Sequence, residues 1–271
     1  CFYYAGGVPA IMEEIREHLH LNVMTVTGNT LGENLEELKN NGFYERCQEG
    51  LKEFNERFGV SLVKGDIIRP NDKPLGTDGS IAVLYGNLAP EGAVIKHTAC
   101  PKEMFQAVLR ARPFDSEEEC LEAVLAHRVE KGDAVFIRYE GPKGSGMPEM
   151  FYTSEAISSD KDLGRSIALI TDGRFSGAST GPVIGHCSPE AASGGPIALV
   201  EEGDLIEIHI PERRLNIVGV CGERKTPEEM DEILAARKAK WKPKEPRYKS
   251  GVLRMFSEHA ASPMKGAYLE Y

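Results

Sequence analysis

The sequence predicts an α/β chain whose larger, later part is rich in strands. Three observations carry that prediction. Apolar residues recur at helical spacing in the first sixty positions, a Pro-, Gly- and Asp-rich stretch follows at Lys64 to Ser80, and beyond it the apolar residues fall into short runs closed by Gly, Pro or Asp.

In order along the chain, Val8, Ile11, Met12, Ile15 and Leu19 predict an amphipathic helix over Val8 to His20. "NVMTVTG" reads as a short strand entering a Gly/Asn turn, and Asn34 to Arg57 as a helix with an acidic start. The composition of "KGDIIRPNDKPLGTDGS" is that of a connection between domains, so the boundary is placed between an N-terminal part, 1–64, and a strand-rich part, 65–271. Strands are predicted at "IAVLYGNLA", "AVIKHTA", "AVFIRYEG", "SIALITDG", "IALVEEGDLIEIHI" and "RLNIVGV". Helices interrupt them at Ser116 to Arg128, where "SEEE" supplies a capped acidic start, and near Pro148 to Ile157. A capped helix beginning at Thr226, the connector "KPKEPRYK" and a short final helix close the chain.

The composition excludes several functions. A formal charge of −10 disfavours binding to a phosphate backbone, so no nucleic-acid partner is expected. No apolar run reaches the ~18 residues of a membrane span. The six cysteines, Cys1, Cys47, Cys100, Cys120, Cys187 and Cys221, are dispersed without a CxxC pair, which points to a reducing cytoplasm rather than a disulfide framework or a self-contained zinc site. The chain starts at Cys1 with a loop entering a helix, and it reads as a fragment of a larger protein.

Three stretches carry residue types suited to chemistry. In "YEGPKGSGMPEM" the glycines allow close approach of backbone to a ligand, and Glu149 stands at the start of a helix-like segment, where a carboxylate either caps the dipole or binds a hard cation. In "ALITDGRFSGAST" a strand ends in small residues whose amides can form an anion nest. There Ser176 is either a turn or capping residue or a nucleophile or base, and a base needs a metal ion or other positive field to ionise. In "IGHCSPEAASGG" the adjacent His186 and Cys187 point to opposite faces of an extended segment and do not ligate jointly.

Together these stretches resemble the dihydroxy-acid dehydratase and phosphogluconate dehydratase family. The resemblance runs in order through "YYAGGVPAIM", "TVTGNTLGEN", "IRPNDKPLGTDGSIAVLYGNLAPEGAVIK", "VFIRYEGPKG", "MPEM", "LITDGRFSGAS", "GHCSPEAASGGPIALVEEGDLIEI" and "RYKSGVLRMFSEHAAS". It implies the end of an α/β domain followed by a swivelling, β-rich, barrel-like domain of β/β/α type. It implies a hydro-lyase that converts a 2,3-dihydroxy carboxylic acid to a 2-keto acid, as in branched-chain amino acid biosynthesis, with a sugar acid or phosphogluconate as the alternative substrate. A non-catalytic anion-binding domain is the competing reading. The resemblance further implies an iron–sulfur cluster, 2Fe-2S or 4Fe-4S, whose ligands lie outside this chain, a Mg²⁺ ion, a homodimer as full-length protein, and an isolated piece without activity. Carried over residue by residue, Ser176 matches the serine base, Glu149 a Mg²⁺ ligand, and Gly177, Ala178 and Ser179 the substrate-binding turn. The loop to Glu149 is one residue shorter than the family's commoner form, and the Ala178–Ser179 pair differs from the usual branched-chain version, so substrate identity stays open between the two acids.

Overall fold

The computed structural model describes residues 1–76, 78–177 and 179–270, which fall into two compact units, 1–79 and 80–271. The first unit is helical: α1 (Gly7–Glu14), α2 (Leu31–Asn40), α3 (Phe43–Phe58) and α4 (Lys64–Ile67). The predicted helix at Asn34 to Arg57 is two helices, because Gly42 adopts a left-handed φ of 76° between them. Thr30 starts α2 with a reciprocal capping box to Glu33. The predicted strand "NVMTVTG" is instead a sequence of turns with a single bridge between Met24 and Thr30, and Val26 is fully exposed. Its apolar residues have no sheet to pair with, so propensity alone does not make them a strand.

The second unit is built on β1 (Ile81–Leu84), β2 (Gly92–Lys96), β3 (Gln106–Phe114), α5 (Glu117–Leu125), β4 (Asp133–Ile137), α6 (Pro142–Ser145), α7 (Phe151–Ser159), β5 (Ala168–Thr171), β6 (Val183–Ser188), β7 (Leu205–His209), β8 (Arg214–Val220), β9 (Glu223–Arg224), α8 (Pro227–Lys240) and α9 (Val252–His259). Its strands form one sheet in the order β1-β2-β6-β5-β4-β3-β7-β8-β9, curled into a half-barrel. The α/β class with a strand-rich later part is therefore as the sequence predicts, and its barrel-like curl as the resemblance implies. The four central strands, β6, β5, β4 and β3, are mutually parallel, and the flanking pairs are antiparallel.

Central parallel strands are covered on both faces, and their sequences show it: every residue of β4 and β5 is buried. Alternation sorts them between two cores. Ala134 and Phe136 join Ile170, Ile184, Ile206 and Met230 on one face, and Val135 and Ile137 join Leu169, Cys120, Val124 and Ile157 on the other, under α5 and α7. Three strands have no counterpart among those the sequence predicts: β3, β6 and the two-residue β9. In β3 the apolar run is broken by Arg110 and Arg112, which reach the buried Asp133 at 3.4 and 2.8 Å. The predicted strand "IALVEEGDLIEIHI" begins only at Leu205, after a 3-10 turn at Pro196–Leu199.

Candidate active site

Because β3, β4, β5 and β6 run parallel, their C-terminal ends lie at one edge of the sheet, and each releases one of the Gly-rich or acidic loops singled out in the sequence. That edge is where open α/β sheets form clefts. Three buried carboxylates tie the loops together. Asp172, fully buried after β5, accepts hydrogen bonds from the amides of Tyr139 (3.2 Å), Glu140 (3.0 Å) and Ala191 (2.8 Å), one loop from β4 and one from β6. Glu190, after β6, accepts from the amides of Lys143 and Gly144 at 3.0 Å, at the start of α6. Glu140 accepts from the Ser145 hydroxyl and from the Glu117 amide at 3.3 Å.

Burial pushes all three carboxyls up, Asp172 to about 6 and Glu190 to about 7; repulsion from Glu140 adds to the shift of Asp172 and repulsion from Asp172 to that of Glu190, with backbone donors opposing both, while at Glu140 the Ser145 hydroxyl is the main opposing donor. These acids are more central to the architecture than any residue singled out in the sequence. Their only sequence signal is an acid directly after a buried strand inside a Gly-rich loop.

The loop carrying Glu149 and the one carrying Ser176 run side by side. Glu149 bridges Arg174 in parallel register, and the Met150 amide donates to the Arg174 carbonyl at 2.9 Å. With ~4.8 Å between paired strands and ~3.3 Å per extended residue, the backbones of Glu149 and Ser176 lie within roughly 10 Å. Glu149 is exposed. Ser176 begins a turn closed by the Ser179 amide on its carbonyl at 3.1 Å. Ala178 lies outside the described residues.

The turn opens on a mostly apolar cavity of about 320 Å³, lined by Ser176, Gly177 and Ser179 together with Lys96, His186 and the apolar Ile81, Val94, Phe175 and Val183. His186 is half-buried, and burial together with the Arg174 charge pushes its imidazole below the usual value, so it is neutral at pH 7. Cys187, its neighbour, sits in the core. The expected turn residues Ser176, Gly177 and Ser179 thus share one cavity, and Glu149 reaches the same edge through the neighbouring loop.

Among the described residues no group of three or more His, Cys, Asp or Glu side chains is placed to hold a metal ion. Cys47, Cys100, Cys120 and Cys187 are buried, Cys1 and Cys221 are exposed, and all six are free thiols. A hard cation takes about six oxygen ligands, of which this edge offers the exposed Glu149 carboxylate.

A family profile described as "Dihydroxy-acid/6-phosphogluconate dehydratase C-terminal" matches residues 66–267. Among curated relatives, a protein named dihydroxy-acid dehydratase from Oleidesulfovibrio alaskensis is 45% identical over 267 residues, covering 97% of this chain and 42% of the relative. One of the same name from Agathobacter rectalis is 45% identical over 268 residues, 98% of this chain and 42% of the relative. One from Ignicoccus hospitalis is 41% identical over 271 residues, 98% and 43% respectively. The chain spans about two fifths of the length of the relatives it matches.

Proposed function

The chain belongs to the dihydroxy-acid/6-phosphogluconate dehydratase family, and from that premise we propose that it supplies the base-carrying part of a hydro-lyase that converts a 2,3-dihydroxy carboxylic acid to a 2-keto acid. The observation that carries the reading is the Ser176 turn, which lines a cavity large enough for a small acid and lies beside the loop that presents Glu149.

In this reading the Ser176 Oγ takes the proton from C2, the C3 hydroxyl departs with the bonding electrons, and the enol that remains takes a proton at C3 to become the 2-keto acid. The Ser176–Ser179 turn fixes the approach of that oxygen, and His186, which lines the same cavity, orients a substrate hydroxyl. Glu149 offers its carboxylate to the implied Mg²⁺ ion, with the other ligands and the iron–sulfur cluster held elsewhere in the complete protein. A bound cation would acidify the C2 proton and ease departure of the C3 hydroxyl. The proposal includes a homodimeric, cytoplasmic enzyme in branched-chain amino acid biosynthesis; six free thiols accord with a reducing compartment. No helix among the described residues is long and apolar enough to cross a membrane.

The predominance of apolar lining, with Ile81, Val94, Phe175 and Val183, favours a branched aliphatic dihydroxy acid over an aldonate, whose additional hydroxyls would find fewer polar partners there. Keto-acid formation by the complete, cluster-loaded enzyme on a panel of both acid types tests this. Turnover of the aliphatic acid at least about tenfold above the aldonates is expected, since one unpaired buried polar group costs ~1–3 kcal/mol. Turnover of aldonates alone would overturn the substrate assignment.

A further inference from the structure

The Ser176 turn is held from a strand distant in sequence. Lys96 ends β2, and its Nζ donates to the Gly177 carbonyl at 2.6 Å. Three residues further on, the Ala99 carbonyl accepts from the Gly181 amide at 3.0 Å. One segment, 96–99, therefore holds the turn at Gly177 and the chain just beyond it at Gly181, in addition to the turn's own Ser179-to-Ser176 bond. Lys96 also lines the cavity shared by Ser176 and Ser179, where His186 is the other titratable side chain of the lining. The bond to the Gly177 carbonyl directs the Lys96 charge to the turn.

We infer that Lys96 is the positioning residue of the Ser176 turn, fixing it through the Gly177 carbonyl and supplying from this chain part of the positive field that a serine base requires. The inference rests on Ser176 being that base. A serine hydroxyl ionises only where a nearby cation offsets the cost of its charge, and an ammonium bonded to the next residue's carbonyl is such a cation. Lysine suits the place because a compact charge on a long flexible stem reaches a single carbonyl.

Two substitutions test this, Lys96→Met and Lys96→Arg. In this chain, amide hydrogen exchange over residues 176–181 should accelerate about tenfold or more in Lys96→Met and stay near the parent rate in Lys96→Arg, reporting a lost local clamp. In the complete holoenzyme, Lys96→Met should move the ascending limb of the kcat/KM pH profile upward by about one unit, lowering turnover about tenfold on that limb, with KM little changed. Lys96→Arg should restore most of the loss. Unchanged exchange in Lys96→Met overturns the clamp. A rise in KM alone with an unmoved pH profile overturns the positioning role in favour of a substrate contact. If Ser176→Ala keeps its turnover, the dehydratase reading fails by itself, and the exchange measurement still decides whether Lys96 holds the turn.

Discussion

At the scale of single residues, the buried acids govern how the edge of the sheet behaves with pH. Glu190 is pushed up to about 7 and Asp172 to about 6, burial being the larger cause in both. Unfolded carboxyls titrate near ~4, so the fold holds these protons more tightly than the unfolded chain does. Their contribution to stability is fully present below about pH 4 and is lost as pH rises through 6 and 7. Asp115 works in the other direction: burial is outweighed by its hydrogen bonds and charge pairing with Lys244 and Arg138, and its carboxyl is held low. Its contribution is present above about pH 4 and lost below it. The melting temperature of the chain is therefore expected to fall between pH 5 and 8, and Glu190→Gln to flatten the slope between 6 and 8. A slope untouched by Glu190→Gln, followed by calorimetry, would show that Glu190 titrates normally.

At the scale of elements, α6 is a four-residue helix whose position depends on close backbone approach. A Cβ on Gly144 would lie 2.2 Å from the Tyr139 carbonyl oxygen, and the same residue's amide is one of the two that bind Glu190. Gly144→Ala is expected to cost roughly 2–4 kcal/mol in urea unfolding, in the range of backbone strain combined with a broken buried hydrogen bond. A cost below about 0.5 kcal/mol, the level of a neutral surface change, would contradict the packing described.

The sequence reading succeeds for elements whose signals are local. Ser116 and Thr226 cap α5 and α8 where the acidic starts place them, and β4 and β5 appear as apolar runs because both faces are covered. It misses β3, whose Arg110 and Arg112 look like surface charge until the buried Asp133 is seen to receive them. It misses the acid hub for the same reason: the partners of Asp172 are backbone amides 19 to 33 residues away, which no spacing rule reveals. Ser176 and Glu149 were accessible only through the motifs around them, since a lone serine on a turn or a lone glutamate before a helix has several equally ordinary uses.

At the scale of the whole molecule, the parallel centre of the sheet explains why motifs far apart in the chain meet. Each of β3, β4, β5 and β6 delivers its loop to one edge, the buried acids join those loops, and the Ser176 turn is left facing a mostly apolar cavity. The central claim is that this turn presents the base of a dehydration. It is tested most directly by keto-acid formation in the complete enzyme carrying its cluster and Mg²⁺, with Ser176→Ala compared against the parent at equal cofactor content. The account predicts a loss in kcat of about 10²–10⁴, the usual worth of a positioned base, with the melting temperature unchanged. Turnover within about twofold of the parent would contradict it, because no transition-state interaction would then have been removed.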